Sequence, residues 1–327
     1  MVTHNDMEKK DLRIVYLGTP DFAVEALRAL VEGGYNVVGV VTMPDKPVGR
    51  HHNNLQPSPV KQYALQQGLP VLQPERLKDE QFLADLKAWQ ADLQIVVAFR
   101  MLPEAVWAMP RLGTFNIHAS LLPQYRGAAP INWAIINGDK ESGLTTFFLR
   151  HDIDTGDVID RQRVAIGEDC TFGELHDKLM ALSGELVRKT VDSILQGTVS
   201  STPQAELTGD EPLRPAPKIF KETCRINLTK SLDEIYNFVR GLSPHPGAWA
   251  MLRTHDAEQE LKIFRAQKIM QPHDYKVGTL LVGRKTLDIA VSGGLLRITE
   301  LQVAGKKRMP VAAFLCGFKS DGSEMMV

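Results

Sequence analysis

The first 120 residues alternate between short apolar runs and amphipathic segments, which limits the folds open to the chain. The apolar runs are typical of buried strands, and they span residues 12–18, 37–42, 69–72, 93–99 and 114–118. Helical periodicity lies between them, at residues 21–32, 58–67 and 81–90. Strands that alternate with helices are joined by right-handed crossovers and form a parallel sheet covered on both faces. The sequence therefore predicts an α/β fold with a doubly wound, mostly parallel sheet.

The pattern changes after Pro130. Residues 144–149 and 158–164 resemble a hairpin pair, and residues 171–196 form one long helical stretch. A segment rich in Ser, Thr and Pro follows and is typical of a linker. Beyond it come a helix, five short strands and a closing helix, at residues 232–240, 249–252, 261–266, 277–282, 287–291, 296–302 and 309–314. We expect a small barrel of the OB type there.

A length of 327 residues suits two domains of ordinary size. We expect a first domain over residues 1–200, a linker over 201–218 and a second domain over 219–327. Net charge differs between the two parts, since residues 1–211 carry −8 and residues 212–327 carry +7. A basic module suggests a polyanionic partner, although many basic domains bind no nucleic acid.

Composition excludes several classes of protein. Apolar residues make up 43% of the chain and charged residues 24%, which argues against a disordered or collagen-like chain. The three cysteines lie far apart and form no CxxC pair, which argues against a zinc site and a disulfide framework. The polar first eleven residues predict no secretory signal, and no apolar run nears the ~18 residues of a membrane span. We expect a cytoplasmic protein without a membrane partner or a bound metal.

The most informative polar residues are Asn116 and His118, at the end of a predicted strand. They are two positions apart, so their side chains share one face of the sheet. Asn and protonated His both donate hydrogen bonds to an oxyanion that develops during a reaction. The alternative is a hydrogen-bonded polar pair at a strand end.

A second polar cluster, at residues 151–157, carries Asp154 between two predicted strands. A loop of this composition is either a solvated turn or the source of a carboxylate that orients His118 and supports its cationic form. The loop is too short for an EF-hand and lacks the terminal Glu. An Asn, a His and an Asp together suit the attack of a neutral amine on a carbonyl.

Two further segments are open to two interpretations. The turn at residues 18–21 is neither GxGxxG nor a P-loop, which removes the main support for a dinucleotide dehydrogenase. It is either a tight turn in which Thr19 or Asp21 caps the next helix, or part of a ligand crevice. Residues 42–61 contain four prolines and form either a surface loop or a functional insertion.

With these segments in order, the chain resembles the methionyl-tRNA formyltransferase family over nearly its whole length. The resemblance rests on LGTPDFA (17–23), PDKPVGR (44–50), QPSPVK (56–61), VVAFRMLP (96–103), FNIHASLLPQYRGAAPINWAI (115–135), DIDTGD (152–157) and APKI (216–219). The Asn-x-His pair with SLLP and the Asp-Thr-Gly-Asp loop are typical of folate-dependent formyltransferases as a group. The flanking segments narrow the resemblance to the tRNA enzymes.

The resemblance implies a Rossmann-like formyltransferase domain followed by an OB-like barrel. It maps the catalytic trio of the family onto Asn116, His118 and Asp154. It implies 10-formyltetrahydrofolate as the co-substrate and the α-amine of charged initiator methionyl-tRNA as the acceptor. The folate-binding positions of the family correspond to Phe99, Arg100, Met101 and Leu102, and to Ser120, Leu121, Leu122 and Pro123. We expect direct attack by the amine and a monomeric enzyme.

The resemblance also implies that the inserted loop and the basic C-terminal module bind tRNA. Candidate contacts are Arg50 in the loop and Lys306, Lys307 and Arg308 near the end of the chain. The last three are also consistent with a solvated strand end. Two departures from the family stand out: residues 50–54 read RHHNN, so Arg50 is the only residue there fully charged at neutral pH, and Phe99-Arg100 replaces the common Tyr-Gly. Alternatives are a sugar-nucleotide N-formyltransferase and a non-catalytic RNA-binding relative.

Overall fold

The computed structural model describes residues 7–48 and 54–327. The first half of the chain alternates strands and helices as predicted. Its elements are β1 (Ile14–Gly18), α1 (Phe22–Glu32), β2 (Val37–Val41), β3 (Lys46–Val48), β4 (Asn54–Gln56), α2 (Pro59–Gln66), β5 (Val71–Leu72), α3 (Glu80–Ala88), β6 (Leu93–Val97), α4 (Glu104–Trp107), β7 (Thr114–His118), α5 (Pro130–Ile136), β8 (Glu141–Phe148), β9 (Val158–Ala165) and α6 (Phe172–Leu195).

Seven of these strands form one sheet in the order β5-β2-β1-β6-β7-β8-β9. The five strands from β5 to β7 are parallel to their neighbours, and β8 runs antiparallel to β7. The chain adds strands on one side of β1 and then returns to add β6 on the other. This reversal opens a crevice at the carboxyl ends of β1 and β6, where α/β sheets bind ligands.

Burial explains why these strands lie at the centre of the sheet. Every residue of β1 and β6 is buried, because helices cover both faces of the sheet. The helix that follows β1 is capped by Asp21, whose carboxylate accepts a hydrogen bond from the Phe22 N–H at 2.9 Å. The turn at residues 18–21 therefore contains a helix cap, as one of its two interpretations predicts.

The second half of the chain forms a small β-barrel. Its elements are α7 (Leu232–Gly241), β10 (Ala248–Arg253), β11 (Glu258–Ile269), β12 (Leu280–Val282), β13 (Leu287–Val291), β14 (Gly294–Val303), β15 (Met309–Pro310), α8 (Val311–Gly317) and β16 (Met325–Met326). The strand order is β12-β13-β14-β11-β10-β16, with β15 beside β14. An antiparallel bridge from Thr279 to Met325 joins the two ends of this order. The predicted fold class, a mostly parallel sheet followed by an antiparallel barrel, is confirmed.

The chain divides into two compact units that are discontinuous in sequence. The first contains residues 1–127, 143–164 and 176–215, and the second contains the remainder. The predicted linker is thus divided between the units, and its first part is ordered against the first unit. A short 3₁₀ turn, Gln204–Leu207, lies in this part, and Thr202 pairs with Val158 of β9.

Several elements differ from those predicted. The insertion at residues 42–61 contains a hairpin, since β3 pairs with β4. The strands of the barrel are longer, and β11 has 12 residues. Among the described residues, no helix is long and apolar enough to cross a membrane. The same part of the chain contains no group of three His, Cys, Asp or Glu side chains placed to hold a metal.

Candidate active site

The strand β7 positions Asn116 and His118 at the carboxyl edge of the parallel sheet. Asn116 pairs in register with Val96 of β6, and His118 is the last residue of its strand. Alternation along the strand directs both side chains to one face, as predicted. Asn116 is half-buried, whereas the His118 side chain is only 8% exposed.

The two ring nitrogens of His118 have different partners. Nε2 lies 2.8 Å from the carbonyl oxygen of Tyr125, and a carbonyl oxygen only accepts, so Nε2 carries a proton. Nδ1 faces the carboxylate of Asp154, with 3.8 Å between Nδ1 and Oδ2. Nδ1 is therefore the nitrogen that is not bound to a backbone carbonyl, and the ring edge rests against Phe147 at a centroid distance of 6.5 Å.

The loop between β8 and β9 brings Asp154 to His118. Asp154 has a φ of 53°, in the left-handed region that non-glycine residues rarely adopt. Its side chain is 13% exposed, and Oδ2 accepts a hydrogen bond from the Gly127 N–H at 3.0 Å. The loop backbone lies so close to β8 that a Cβ at Gly156 would come within 1.6 Å of the Phe148 carbonyl oxygen. A glycine is therefore required at this position.

Three buried polar atoms at this edge of the sheet lack a hydrogen-bond partner among the described residues. They are Oγ1 of Thr19, Nε of Arg100 and Oδ1 of Asn116. The three residues lie at or just beyond the carboxyl ends of three neighbouring strands, β1, β6 and β7. An unpaired buried polar group costs about 1–3 kcal/mol, so these three atoms are open to a polar ligand at this edge of the sheet.

The predicted folate loop, residues 99–102, follows β6. In the part of the chain that the structure describes, no backbone hydrogen bond uses the N–H groups of these residues. Phe99 and Leu102 pack into the core of the first unit, whereas Met101 is 68% exposed. The guanidinium of Arg100 donates to the carbonyl oxygens of Pro74 and Glu75, and burial lowers its pKa. Arg100 thus fixes the loop and leaves its backbone N–H groups free for a ligand.

The second predicted folate segment is mostly buried. Ser120 Oγ donates to the Gln124 carbonyl oxygen at 2.6 Å, and the hydroxyl of Thr145 bridges the Ser120 carbonyl and the Leu122 N–H. Leu122 and Pro123 are buried, and Leu121 is half-buried. The segment is therefore fixed by burial and hydrogen bonds next to the site, and Leu121 is its most accessible apolar side chain.

The predicted tRNA contacts differ in their surroundings. Arg50 lies outside the described residues. Arg308 is bound by both carboxylate oxygens of Glu300, at 2.6 and 2.7 Å, and its guanidinium lies over the ring of Phe264. Lys306 and Lys307 have no acidic partner among the described side chains, so their ammonium groups are available to a polyanion.

Sequence reasoning missed the residues that hold the trio in place. Tyr125 supplies the carbonyl for His118, Gly127 supplies the N–H for Asp154, and the side chain of Gln204 binds the backbone of the Asp154 loop. Tyr125 has a φ of 60° and Gly127 a φ of 124°. The YRG sequence after SLLP is the one available signal for the first two, since the sequence around Gln204 resembles a linker.

Comparison with known proteins assigns the family. The formyl transferase family model matches residues 12–191, and the model of the formyl transferase C-terminal domain matches residues 218–319. A methionyl-tRNA formyltransferase from Parabacteroides distasonis is 61% identical over 316 residues, 96% of this chain and 98% of that protein. The chain belongs to the methionyl-tRNA formyltransferase family. Another member of the family, from Bacteroides thetaiotaomicron, is 60% identical over 322 residues, 98% of this chain and all of that protein.

Two solved structures share the fold at low identity. A complex of HypX from Aquifex aeolicus with tetrahydrofolic acid has a TM-score of 0.63 at 19% identity, covering 95% of this chain and 48% of HypX. The sugar 3N-formyltransferase WlaRD, solved with dTDP and 5-N-formyl-THF, has a TM-score of 0.62 at 18% identity over 90% of this chain and 99% of that chain. The chain thus shares its fold with HypX and WlaRD, which carry other names.

Proposed function

We propose that the protein transfers the formyl group of 10-formyltetrahydrofolate to the α-amine of charged initiator methionyl-tRNA. The observation that carries this proposal is the convergence of Asn116, His118 and Asp154 at the carboxyl edge of the sheet. The 3.8 Å between His118 Nδ1 and Asp154 Oδ2 brings an imidazole and a carboxylate together, and Asn116 lies two positions before His118 on the same strand face. Membership of the methionyl-tRNA formyltransferase family supports the identity of the acceptor.

The chemistry is a transfer between two nitrogens. The neutral amine of the acceptor attacks the formyl carbon, negative charge develops on the formyl oxygen, and the bond from carbon to N10 of the donor then breaks. Asn116 donates a hydrogen bond to that oxygen, and His118 donates one from Nδ1 once this nitrogen has taken up the proton that the amine releases. Such donors, fixed in a buried site, are worth most where charge develops, because water is excluded.

Asp154 and His118 share the task of moving the proton. Because Nε2 donates to the Tyr125 carbonyl, only Nδ1 is free to receive the proton that leaves the amine or to return one to the departing nitrogen. The carboxylate of Asp154 stabilises the resulting imidazolium. None of the three cysteines lies in the segments of the trio, so direct transfer needs no covalent enzyme intermediate.

The co-substrate fits the edge of the sheet next to the trio. The free backbone N–H groups of residues 99–102 are donors for a pterin ring, and Ser120 to Pro123 support the adjacent wall. The exposed side chain of Met101 offers apolar contact area beside these donors. We assign residues 99–102 and 120–123 to folate binding on this basis.

The acceptor contacts lie in the inserted loop and the basic C-terminal part. Lys306 and Lys307 are assigned to phosphate contacts, together with Arg50. Arg308 adds positive charge but is held by Glu300.

We propose that residues 1–200 form the catalytic domain, residues 201–218 the linker and residues 219–327 the tRNA-binding domain. The protein is expected to act as a monomer in the cytoplasm.

Formyl transfer with two acceptors in parallel tests this proposal. Purified protein is supplied with 10-formyltetrahydrofolate and either charged methionyl-tRNA or an amino-sugar nucleotide. Transfer to the tRNA alone is the expected result. Transfer to the sugar alone would reassign the protein as a sugar-nucleotide N-formyltransferase. Transfer to neither, with no binding of a folate analogue, would indicate a non-catalytic RNA-binding relative.

Variants of the oxyanion donors connect this activity to the trio. Asn116→Ala and His118→Ala should each lower kcat by ~10²–10³, because each removes one donor from the developing oxyanion. Circular dichroism and thermal melting check that both variants fold. A folded His118→Ala protein with near-normal kcat would contradict the assignment.

A further inference from the structure

Gln204 lies in the segment that the sequence presents as a linker, and its side chain makes four hydrogen bonds. Its Nε2 donates to the carbonyl oxygens of Asp154 and Gly156, at 2.7 and 2.8 Å. Its Oε1 accepts from Nε and Nη2 of Arg126, at 3.0 and 2.7 Å. Both protons and both acceptor sites of the amide are thus used, and the residue is only 3% exposed.

These bonds hold a backbone conformation that Asp154 does not adopt readily. A non-glycine residue with a φ of 53° persists only where its surroundings fix it. The two carbonyl oxygens bound by Gln204 lie on either side of Thr155, so one side chain holds the loop on both sides of that residue. Because Asp154 is itself one of the two, its carboxylate is directed by the same contacts.

We call the Gln204 side chain and its hydrogen bonds to the Asp154 loop and to Arg126 the clamp. Arg126 joins the clamp to the residues around His118. Tyr125 accepts a hydrogen bond from His118, Arg126 donates to Gln204, and Gly127 donates to Asp154 Oδ2. Three consecutive residues therefore contact the imidazole, the clamp and the carboxylate. A displacement of the Asp154 loop would alter the distance between His118 Nδ1 and Asp154 Oδ2.

We propose that Gln204 and Arg126 act as positioning residues that hold Asp154 toward His118 during formyl transfer. The inference rests on the proposed function of the trio. Gln204 touches no reacting atom and acts through the backbone of the Asp154 loop. Glutamine is required because the position needs a donor toward two carbonyl oxygens and an acceptor toward a guanidinium. Glutamate supplies the acceptor but has no proton for the carbonyls when ionised.

The test compares Gln204→Glu with Glu206→Gln. Glu206 is exposed in the same 3₁₀ turn, so its variant is a matched control for changes in the segment itself. Gln204→Glu keeps the acceptor for Arg126 and removes both donors to the loop. We expect kcat to fall by about 10²-fold, the scale of a 1 Å misplacement, while the KM values for folate and tRNA stay within about threefold. Glu206→Gln should match the wild type.

A double-variant cycle separates positioning from a merely structural role. If Gln204 acts through Asp154, Gln204→Glu should cause little further loss of kcat in an Asp154→Asn background. A structural residue would lower kcat by the same factor in both backgrounds, and that additivity would overturn the proposal. Unchanged kcat in the single variant would overturn it as well.

Two further measurements keep the outcomes distinct. Gln204→Met has no charge and a similar volume, so a matching loss of kcat excludes repulsion between the new carboxylate and Asp154 as the cause. If Gln204→Glu does not fold, Arg126→Met tests the other partner of the Gln204 amide. We expect this variant to lower kcat, and its melting temperature shows whether it is folded.

If wild-type protein transfers no formyl group to methionyl-tRNA, the proposed function fails. If the wild type is active and these variants keep its kcat, the clamp alone fails.

Discussion

His118 can serve the reaction with only one of its nitrogens, since Nε2 is bound to the Tyr125 carbonyl. The consequence is that Asp154 acts at the same nitrogen as the substrate. Asp154→Asn preserves the shape and an acceptor for the Gly127 N–H but removes the negative charge. We expect kcat to fall by at least ~10², because general acid–base assistance of this kind contributes about 10²–10⁴-fold.

Asp152→Asn is the matched control for that change. Asp152 lies two residues earlier in the same loop and is exposed, so its neutralisation should leave kcat unchanged. Binding of a folate analogue, followed by fluorescence quenching, should be similar in both variants. Turnover retained by Asp154→Asn would refute the role given to its carboxylate.

The sequence predicts part of this site for a clear physical reason. Asn116 and His118 lie two apart on one strand, so their common face follows from local geometry alone. Asp154 reaches them through a tertiary contact, and it was assigned from the resemblance of its loop to the family. Gln204 could not be predicted, because a buried amide flanked by proline, alanine and threonine resembles any other residue of a polar connection.

At the scale of single elements, the β3–β4 hairpin is anchored at its base. Lys61 Nζ donates to Asp45 at 2.6 Å, and the hydroxyls of Thr42 and Ser58 lie 2.7 Å apart. Hydrogen bonds from Lys61 and Gln73 lower the pKa of Asp45, so the carboxylate is charged at neutral pH. The base of the hairpin is therefore tied to the start of helix α2 and to Gln73.

Loosening this anchor tests the role of the hairpin in tRNA binding. Asp45→Ala should raise the KM for methionyl-tRNA several-fold, because the hairpin must then be ordered at the cost of binding energy. The KM for 10-formyltetrahydrofolate and the kcat should change little. Asp85→Ala serves as the control in the same steady-state assay, because Asp85 of α3 is likewise half-buried and accepts a hydrogen bond from Gln81. Equal KM values for tRNA would show that the anchor has no part in binding.

Helix α7 begins with a capping box. Ser231 Oγ accepts from the Glu234 N–H, and the Glu234 carboxylate accepts from the Ser231 N–H at 3.0 Å. Ser231→Ala should lower the free energy of unfolding by about 1 kcal/mol, the usual cost of losing such a cap. Urea unfolding monitored by circular dichroism measures it. An unchanged midpoint would show that packing alone fixes the start of the helix.

The same box predicts a pH dependence. Hydrogen bonds from the backbone and side chain of Ser231 lower the pKa of Glu234 to about 2. A carboxyl with a depressed pKa stabilises the folded state fully above its unfolded value, about 4.3, and loses that contribution as the pH falls toward 2. The difference in melting temperature between wild type and Glu234→Ala should therefore shrink as the pH falls through this range.

Predicted and observed element boundaries agree where local sequence features determine them and differ where tertiary pairing does. Helix α1 was predicted over residues 21–32 and is observed at Phe22–Glu32, because its apolar face and its cap are both local features. Strand β11 extends to 12 residues, well beyond the six predicted. Five of its six additional residues are polar, and they gain their strand conformation from pairing with β10 and β14, which the sequence alone does not reveal.

For the whole molecule, the division of charge predicts that tRNA binding depends strongly on salt. Lys306 and Lys307 have no acidic partner among the described side chains, whereas Arg308 is bound to Glu300. Lys306→Gln with Lys307→Gln should raise the KM for tRNA and reduce the slope of log KM against log salt by about 1–2, since each lost phosphate contact releases fewer counterions. Lys285→Gln, in another turn of the barrel, is a control for general charge. An unchanged slope would place both lysines outside the tRNA interface.

Strand β16 is only two residues long, yet it lies between β10 and the bridge to Thr279. Its hydrogen bonds cover backbone groups on both sides that would otherwise be exposed. An uncovered strand edge is a template for pairing with another chain. Loss of the last four residues would remove little of the hydrophobic core, but it would leave two such edges open on every molecule. The resulting defect would be self-association of nearly native molecules, so the brief final strand protects the barrel against aggregation.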